Sequence, residues 1–425
     1  MDASVALVRT DRSFRWYWLG QSVSSAGSQV TTIALPLVTA LVLDGSPGEV
    51  GAVATAAMLP YLLFSLVAGH LLEGRQGRRT MVPADLAQAA LVGLVPVAAL
   101  TGWLSVPVLA VIAFLSGTAA LVFGISAFAH VPSLVERPDL AAANRAVQGS
   151  RTVTEVAGPG LAGLLVAAVG PAAAMAVDAA SYLVSAVCVA LGRPRRPVAR
   201  ERPAPDGDAP RVPVLTGLRI LWGNRYLRAL TVHAALFNLA EEVLVINLIL
   251  WAVQEQGVSA GAYGLALSMA GVGGLLGTLT ALRLAAGLGF GRAFAASLVL
   301  SCGTPVLMAL WPTDGIALAV VIGAVMLVSG VGLGNANVYS VTMRQTLIPE
   351  TQLSRSAGAY TQVMYGSIPI GAALAGIVGE TLGTRSGVVL GGLGIVVSAL
   401  PMMTSAVRSL RLDVSGRADE PARTG

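Results

Sequence analysis

Acidic side chains interrupt several of the long apolar runs in this sequence, where an unpaired charge is costly. We expect no arginine at the same depth as these acids. A carboxyl group that is buried without a cationic partner is easily protonated, so it can take up and release a proton near neutral pH. For Asp178 and Glu155 the alternative role is a hydrogen bond between helices. The candidates for proton transfer are Glu155, Asp178, Glu241 and Glu242.

Other chemistries find no supporting residue pattern. His70, His130 and His233 do not have the spacing of metal ligands. Cys188 and Cys302 form neither a disulfide framework nor a CxxC site. The sequence contains no lysine, so the phosphate-binding loop GxxxxGK[S/T] cannot occur, and direct use of ATP is excluded unless a partner supplies it. We therefore expect no metal, no cofactor and no enzymatic activity.

The elements that must position these acids are helices that cross a membrane. Of the 425 residues, 55% are hydrophobic and 12% are charged, and the mean hydropathy is +0.75. Several apolar runs reach the length of about 20 residues that a helix needs to cross a bilayer, so a soluble fold is excluded. The N-terminal segment lacks the apolar core of a signal peptide. The predicted spans are 17–42, 49–72, 81–101, 106–128, 150–170, 172–192, 229–253, 261–286, 292–311, 316–340, 358–382 and 386–407.

The charge pattern predicts the orientation of these spans. All 27 cationic side chains are arginine, and on this layout every one except Arg385 falls on the same side of the membrane. Because positively charged loops stay in the cytoplasm, both termini are predicted to be cytoplasmic. The positive charge thus indicates topology and not nucleic-acid binding. The excess of Ala, Gly, Val, Leu and Arg is typical of a GC-rich bacterium, so we expect a bacterial plasma (inner) membrane.

A polar segment at the midpoint divides the chain. Residues 193–228 are rich in proline and charge and lack apolar periodicity, which predicts a flexible cytoplasmic linker. The predicted domains are an N-terminal six-helix bundle at 1–192 and a C-terminal six-helix bundle at 229–408. Residues 409–425 are expected to form a disordered cytoplasmic tail.

The two halves repeat one another. Shifting the sequence by 213 residues superimposes Gly51 on Gly264 and Gly158 on Gly371 without a gap. One constant offset across separate helix pairs indicates an all-α membrane protein of twelve spans, built from two six-helix bundles in parallel repeat. Two such halves with a site between them describe a transporter whose halves tilt to open each side of the membrane in turn.

Five segments carry a resemblance to a known family. They are FRWYWLGQSVSSAGSQVTTIALPL, GHLLEGRQGRRTMVPADL, HVPSLVERPDLAAANRAVQGSRTVTEVAGPGLAG, HAALFNLAEEVL and RQTLIPETQL. These segments resemble the major facilitator superfamily, in particular its twelve-span exporters of drugs and secondary metabolites, the branch that holds macrolide-efflux and siderophore-export proteins. The resemblance covers nearly the full chain and implies alternating access.

The stretch GHLLEGRQGRR resembles the superfamily's motif between the second and third spans. In the family its acid, here Glu73 in place of the usual Asp, engages the opposite half and holds the cytoplasmic side closed. A second interpretation is that the arginines only fix the topology. Asp85, near the same face, is expected to pair with the loop arginines. The residues of this gate motif are Gly69, Glu73, Arg75, Gly77, Arg78, Arg79 and Asp85.

The stretch AGPGLAG resembles the Gly-Pro motif that marks the fifth span of the antiporter branches. Pro159 removes one helix hydrogen bond, and Gly158 and Gly163 permit close contact, so this helix can bend against a neighbour. Ordinary packing of small residues is the alternative. Residues 145–149 match the family's RxxQG motif of the fourth span. Because they precede the fifth span here, we interpret that match as accidental.

In the family, the first and seventh spans line the central cavity. The repeat places Ser28 on Glu241 and Gln29 on Glu242, and Asn238 lies on the same side of the seventh helix. We therefore expect Ser28, Gln29 and Asn238 to contact the substrate. Relatives often carry Asp where Ser28 stands, which moves the expected proton site to the seventh span. Glu241 and Glu242 are about 100° apart on a helix, so at most one of them points squarely into the cavity.

These features together predict a proton-coupled exporter of an amphipathic drug or secondary metabolite, neutral or cationic. An anionic substrate would require arginine in the cavity. A siderophore exporter of the same fold is the alternative. A membrane enzyme or a sensor is disfavoured, because the sequence has neither a catalytic cluster nor an appended soluble domain. The expected partners are the substrate, protons and the lipid bilayer, and we expect a monomer.

The orientation predicts how a cysteine in the linker reacts. In a chain whose two native cysteines are replaced by serine, Ala204→Cys should react with a membrane-impermeant maleimide only after permeabilisation. The reason is that the arginines of this segment resist translocation. Labelling in intact cells would show that the orientation is reversed.

Overall fold

The computed structural model of the protein describes residues 3–72, 77–136, 139–192, 215–310, 313–349 and 352–404, with Val407 and Leu410. These residues form helices and no strand, and twelve helical segments are long and apolar enough to cross a membrane. The predicted all-α polytopic fold is confirmed. The helices are α1 (Ala3–Thr10), α2 (Arg12–Leu37), α3 (Pro47–Leu72), α4 (Gly77–Leu100), α5 (Val106–Leu134), α6 (Leu140–Val169), α7 (Pro171–Leu191), α8 (Leu215–Gly223), α9 (Arg225–Ile249), α10 (Ala260–Leu288), α11 (Phe290–Gly303), α12 (Gly315–Leu347), α13 (Leu353–Leu382) and α14 (Thr384–Ser398).

Most predicted spans match these helices to within a few residues, but α6 begins ten residues earlier than expected, at Leu140. Its first turns are polar, so hydropathy detects only the apolar remainder. Two short helices, α1 and α8, precede the first span of each half. Helix α8 lies inside the segment predicted as a linker. Its Leu221 is fully buried, so this part of the segment packs against the rest of the protein. Residues 193–214, which are the remainder of the predicted linker, and residues 411–425, which are most of the predicted tail, lie outside the described residues.

The repeat of 213 residues is visible in the backbone. Six turns with positive φ form three pairs at this offset: Asp44 with Gly257, Gly102 with Gly315, and Gly170 with Gly383. The helix caps repeat as well. Asp11 accepts hydrogen bonds from two backbone N–H groups at the start of α2, and Asn224 does the same for α9. Both helices end in a wider π-helical turn, at Val38–Val42 and Leu250–Glu255.

The connections define two ends of the molecule. The turns after α2, α4, α6, α9 and α13 lie at one end, called the outer end below. The other end, called the inner end, carries the start of α2, the end of α7 and the start of α9. The two halves meet mainly where α3 packs along α13 and where α6 packs along α10.

Glycines bring the backbones of the two halves together near the outer end. A β-carbon added at Gly51 of α3 would lie 2.5 Å from the Cα of Gly376 in α13. One added at Gly264 of α10 would lie 2.4 Å from the Pro159 carbonyl oxygen in α6. Side chains larger than hydrogen do not fit at these positions, as is typical of helices that cross closely in membranes.

Hydrogen bonds between the halves also lie at the outer end. The backbone N–H of Gly48 donates to Oε2 of Glu380 over 3.0 Å. The amide of Gln254 donates to the carbonyl oxygen of Ala40 over 2.9 Å. The molecule is therefore closed at its outer end in this conformation.

The glycine contact predicts that one added methyl group opens the outer end. Overpacking costs about 1–3 kcal/mol, and 1.4 kcal/mol corresponds to about tenfold in a population. Gly264→Ala should therefore raise the outer-open population about tenfold. The measurement is labelling of a cysteine at Thr32 by a membrane-impermeant maleimide from the outer side, with the native cysteines replaced by serine.

Gly274→Ala is the matched control on the same helix, because a β-carbon at Gly274 would meet its nearest neighbour, the Gly330 carbonyl oxygen, at 4.0 Å. Equal labelling rates in the two variants would show that the backbone contact does not hold the outer end closed.

Candidate functional site

A cavity of about 880 Å³ lies among the helices of the N-terminal half and follows most of the length of α2, from Tyr17 to Leu35. The helices that line it are α2 to α7. Its lining residues are Tyr17, Gln21, Ser24, Ser25, Ser28, Gln29, Thr31, Thr32, Leu35, Ala57, Met58, Tyr61, Gln88, Val92, Ile112, Ala113, Ser116, Gly117, Ala120, Phe123, Gly124, Ala127, Val131, Pro132, Leu140, Asn144, Val147, Gln148, Ser150, Arg151, Thr154, Glu155, Met175 and Tyr182.

The wall of this cavity is amphipathic. Hydroxyl and amide side chains alternate with aliphatic and aromatic ones, and Arg151 and Glu155 are its charged residues. Helix α2 contributes a polar stripe at helical spacing, which runs from Gln21 to Thr32. Such a wall offers hydrogen-bond donors and acceptors next to apolar surface.

Glu155 has an environment different from the one expected. It is exposed to the cavity and forms an ion pair with Arg151, with an N···O distance of 3.7 Å. The prediction that no arginine accompanies the acids is therefore wrong for Glu155. The predicted span began ten residues too late, so Arg151 was assigned to the start of the span, whereas it lies in the fourth turn of α6.

Asp178 is the buried acid next to this cavity. It lies on α7, is fully buried, and accepts hydrogen bonds from Thr31 and, over 3.1 Å, from Ser181. Thr31 also lines the cavity, so it connects the carboxylate to the cavity wall. The carboxylate fits against α2 because Gly27 has no side chain; a β-carbon there would lie 2.7 Å from Oδ1 of Asp178.

Ser28 and Gln29 line this cavity. The hydroxyl of Ser28 hydrogen-bonds the hydroxyl of Tyr182 over 3.0 Å. Gln29 packs on Gly158 of α6, where an added β-carbon would lie 2.4 Å from Cγ of Gln29. Gly158 therefore makes room for a cavity residue, while Gly163 contacts Gly264 of the other half.

The candidates on α9 lie outside this cavity. Glu242 packs on Gly371, which is the repeat equivalent of the contact between Gln29 and Gly158. Within the described residues, neither Glu241 nor Glu242 forms a hydrogen bond or an ion pair. Asn238 donates to the Ala234 carbonyl oxygen of its own helix over 2.8 Å. The structure thus brings Ser28, Gln29 and Asp178 together in the N-terminal half. Asn238, Glu241 and Glu242 lie in the C-terminal half and do not line the cavity.

The gate motif is described in part. Glu73 and Arg75 lie outside the described residues, and Gly69 lies in α3. A β-carbon at Gly77 would lie 2.8 Å from Cβ of His130, so this glycine lets α4 begin against α5. Arg78 and Arg79 are exposed.

Asp85 does not pair with the described loop arginines, which corrects that expectation for Arg78 and Arg79. It is fully buried on α4, and neither of its oxygens has a hydrogen-bond partner in the part of the chain that the structure describes. The reason is its position two turns into the helix, where it faces the packed interior of the N-terminal half. The buried Ser185 of α7 is likewise without a hydrogen bond for its hydroxyl.

The hydrogen-bond partners of Asp178 were not predicted from the sequence. Thr31 belongs to the polar stripe of α2, and Ser181 and Tyr182 follow Asp178 by three and four residues, on the same face of one helix. Polar residues at these spacings within apolar runs were the available signal.

Comparisons with known proteins agree with this architecture. A family model described as "transmembrane secretion effector", of the major facilitator type, matches residues 4–422. The multidrug efflux pump Tap of Mycolicibacterium fortuitum is 27% identical over 380 residues, which cover 85% of this chain and 88% of Tap. The enterobactin exporter EntS of Salmonella typhi is 25% identical over 404 residues, covering 94% of each chain.

A bacterial homologue of the iron transporter ferroportin shares the fold. Its inward-facing structure matches with a TM-score of 0.71 at 18% identity, over 94% of this chain and 99% of that one. Its outward-facing structure matches with a TM-score of 0.58 at 17% identity, over 92% and 98%. The family model, which spans almost the entire sequence, shows that the chain belongs to the transmembrane secretion effector family of the major facilitator superfamily.

Proposed function

We propose that this membrane transporter exports an amphipathic small molecule, a drug or a secondary metabolite, in exchange for protons. The observation that carries the proposal is the adjacency of an amphipathic cavity and a buried acid: Thr31 lines the cavity and hydrogen-bonds Asp178. Binding of substrate and protonation of the acid can thus influence one another across a single side chain.

The cavity supports a substrate that carries no strong net charge. Its charged residues, Arg151 and Glu155, neutralise each other. The other polar groups are uncharged hydroxyls and amides, which orient a ligand by hydrogen bonds while the aliphatic and aromatic side chains cover its apolar surface. A neutral compound fits this wall best, and a cationic compound is compatible with it.

Asp178 is the proposed proton site. As a carboxylate it is stabilised by the hydroxyls of Thr31 and Ser181. When it is protonated, Thr31 no longer has to donate to it and can hydrogen-bond a substrate instead. Glu241 and Glu242 stay candidates of the same mechanism in the other half, because they have no cationic partner among the described residues.

Alternating access follows from the position of the contacts between the halves. The glycine contacts and the hydrogen bonds from Gly48 and Gln254 would break when the halves rock. The inner ends would then meet, and the gate motif around Glu73 would hold them closed. We place the protein in the bacterial plasma membrane as a monomer with cytoplasmic termini, so the open inner end admits substrate from the cytoplasm.

A siderophore is the second candidate substrate. The enterobactin exporter matches the chain along 94% of its length. An acidic substrate would need a cation in the cavity, and Arg151 lies in its wall.

The experiment separates proton coupling from substrate passage. Proton entry supplies about 2.3 kcal/mol per charge for each 100 mV, and only a site that exchanges the proton can use it. In proteoliposomes with an imposed pH gradient, Asp178→Asn should abolish uphill export of a transported compound. The variant should still equilibrate the compound down its own gradient, because asparagine keeps the size of the side chain.

Glu155→Gln is the matched control, because Glu155 is exposed and ion-paired; it should retain uphill export. Uphill export by Asp178→Asn at the wild-type rate would contradict the assignment. If Glu241→Gln or Glu242→Gln then lost uphill export, the proton site would lie in the C-terminal half; if neither did, proton antiport through these acids would be wrong.

A further inference from the structure

A second cavity lies at the inner end of the C-terminal half. It is a groove of about 380 Å³ between the first turns of α9 and the segment that follows α14. Arg225, Tyr226 and Arg228 form its polar side, and Ala229, Val232 and Pro401 belong to its apolar floor. This groove is called the α9 groove below.

The two arginines of the α9 groove are held in place but carry uncompensated charge. The guanidinium carbon of Arg225 lies 4.8 Å from the ring centroid of Tyr226, and its Nη2 donates to the tyrosine hydroxyl over 2.8 Å. Nη1 of Arg228 donates to the Trp222 carbonyl oxygen over 3.5 Å. Within the described residues, neither arginine forms an ion pair. Each guanidinium keeps free N–H groups for an anion.

The residues around the groove are typical of a membrane surface. Arg225 is the first residue of the seventh span, and Trp222, at the end of α8, is 46% exposed. Tryptophan and tyrosine prefer the boundary between lipid head groups and acyl chains. The positive end of the α9 dipole points to the same place, although Asn224 already accepts two of its backbone N–H groups.

We infer that the α9 groove binds an anionic phospholipid, with its phosphate between Arg225 and Arg228 and an acyl chain along Ala229, Val232 and Pro401. Two guanidinium groups above an apolar floor complement a phosphodiester joined to a hydrocarbon chain, and basic pockets between spans at this depth bind such head groups.

Two other arginines provide a control that distinguishes binding in the α9 groove from a general effect of positive charge. Arg283 and Arg292 are exposed at the same end of the same half, and neither lines the α9 groove or the larger cavity. The double variants Arg225→Gln/Arg228→Gln and Arg283→Gln/Arg292→Gln remove equal charge. Only the first removes the proposed phosphate ligands.

The test is native mass spectrometry of the full-length, delipidated protein, titrated with phosphatidylglycerol or with phosphatidylcholine of the same acyl chains. The wild type should bind phosphatidylglycerol more tightly than phosphatidylcholine. The groove double variant should lose about tenfold or more in affinity for its tightest phosphatidylglycerol, whereas the Arg283 and Arg292 variant should not.

Two further arms make the result decisive. Val232→Trp, which fills the floor without changing charge, should weaken phosphatidylglycerol binding if an acyl chain lies there, and it keeps the test valid if the double variant does not fold. Inorganic phosphate at millimolar concentration should not compete. Equal affinity in the groove variants and the arginine control, or competition by inorganic phosphate, would overturn the proposal.

Discussion

Backbone-to-backbone contact between the two halves is the constraint on which the other features of this molecule depend. At Gly51 and Gly376, and at Gly163 and Gly264, the helices of opposite halves approach so closely that a β-carbon has no room. Rigid bundles that touch in this way at the outer end cannot touch equally at the inner end. The cavity lined by α2 to α7 lies beside these contacts, because α6 both lines the cavity and packs along α10.

The two halves share a backbone but not their chemistry. Offsets of 213 residues relate their turns, caps and glycine contacts, so that Gln29 on Gly158 corresponds to Glu242 on Gly371. Asp178, however, corresponds to Gly391, which packs against the backbone of α9. At this pair of repeat positions, only the N-terminal half carries a buried carboxylate with hydroxyl partners. The halves thus share a scaffold and differ in the acid that Asp178 adds to one of them.

The sequence predicted those parts of the structure that depend on hydropathy and on the repeat. Twelve spans, their order and the resemblance between the halves follow from apolar run lengths and one offset, which are local properties. The early start of α6 was missed because its first turns are polar, line the cavity and carry no apolar signal. That error placed Arg151 in the wrong environment and hid its ion pair with Glu155.

The distribution of candidate residues around the cavity was harder to predict. The repeat suggested that α2 and α9 contribute alike, which holds for their backbones. Which half lines the cavity depends on how the bundles tilt, a property of the whole assembly that no local pattern encodes. The partners of Asp178 were accessible in principle, since Ser181 and Tyr182 follow it at helical spacing, but their role depends on the gap at Gly27 of another helix.

Distances between the halves test the rocking of the two bundles most directly. Spin labels at Thr101 and Ile316 report on the outer end, and labels at Arg79 and Gly287 report on the inner end, in a chain without native cysteines. Double electron–electron resonance would be recorded at acidic and alkaline pH, with and without a transported compound. The account predicts a second population in which the outer distance lengthens and the inner distance shortens together. Distances that stay fixed under every condition, or that lengthen at both ends in parallel, would contradict it.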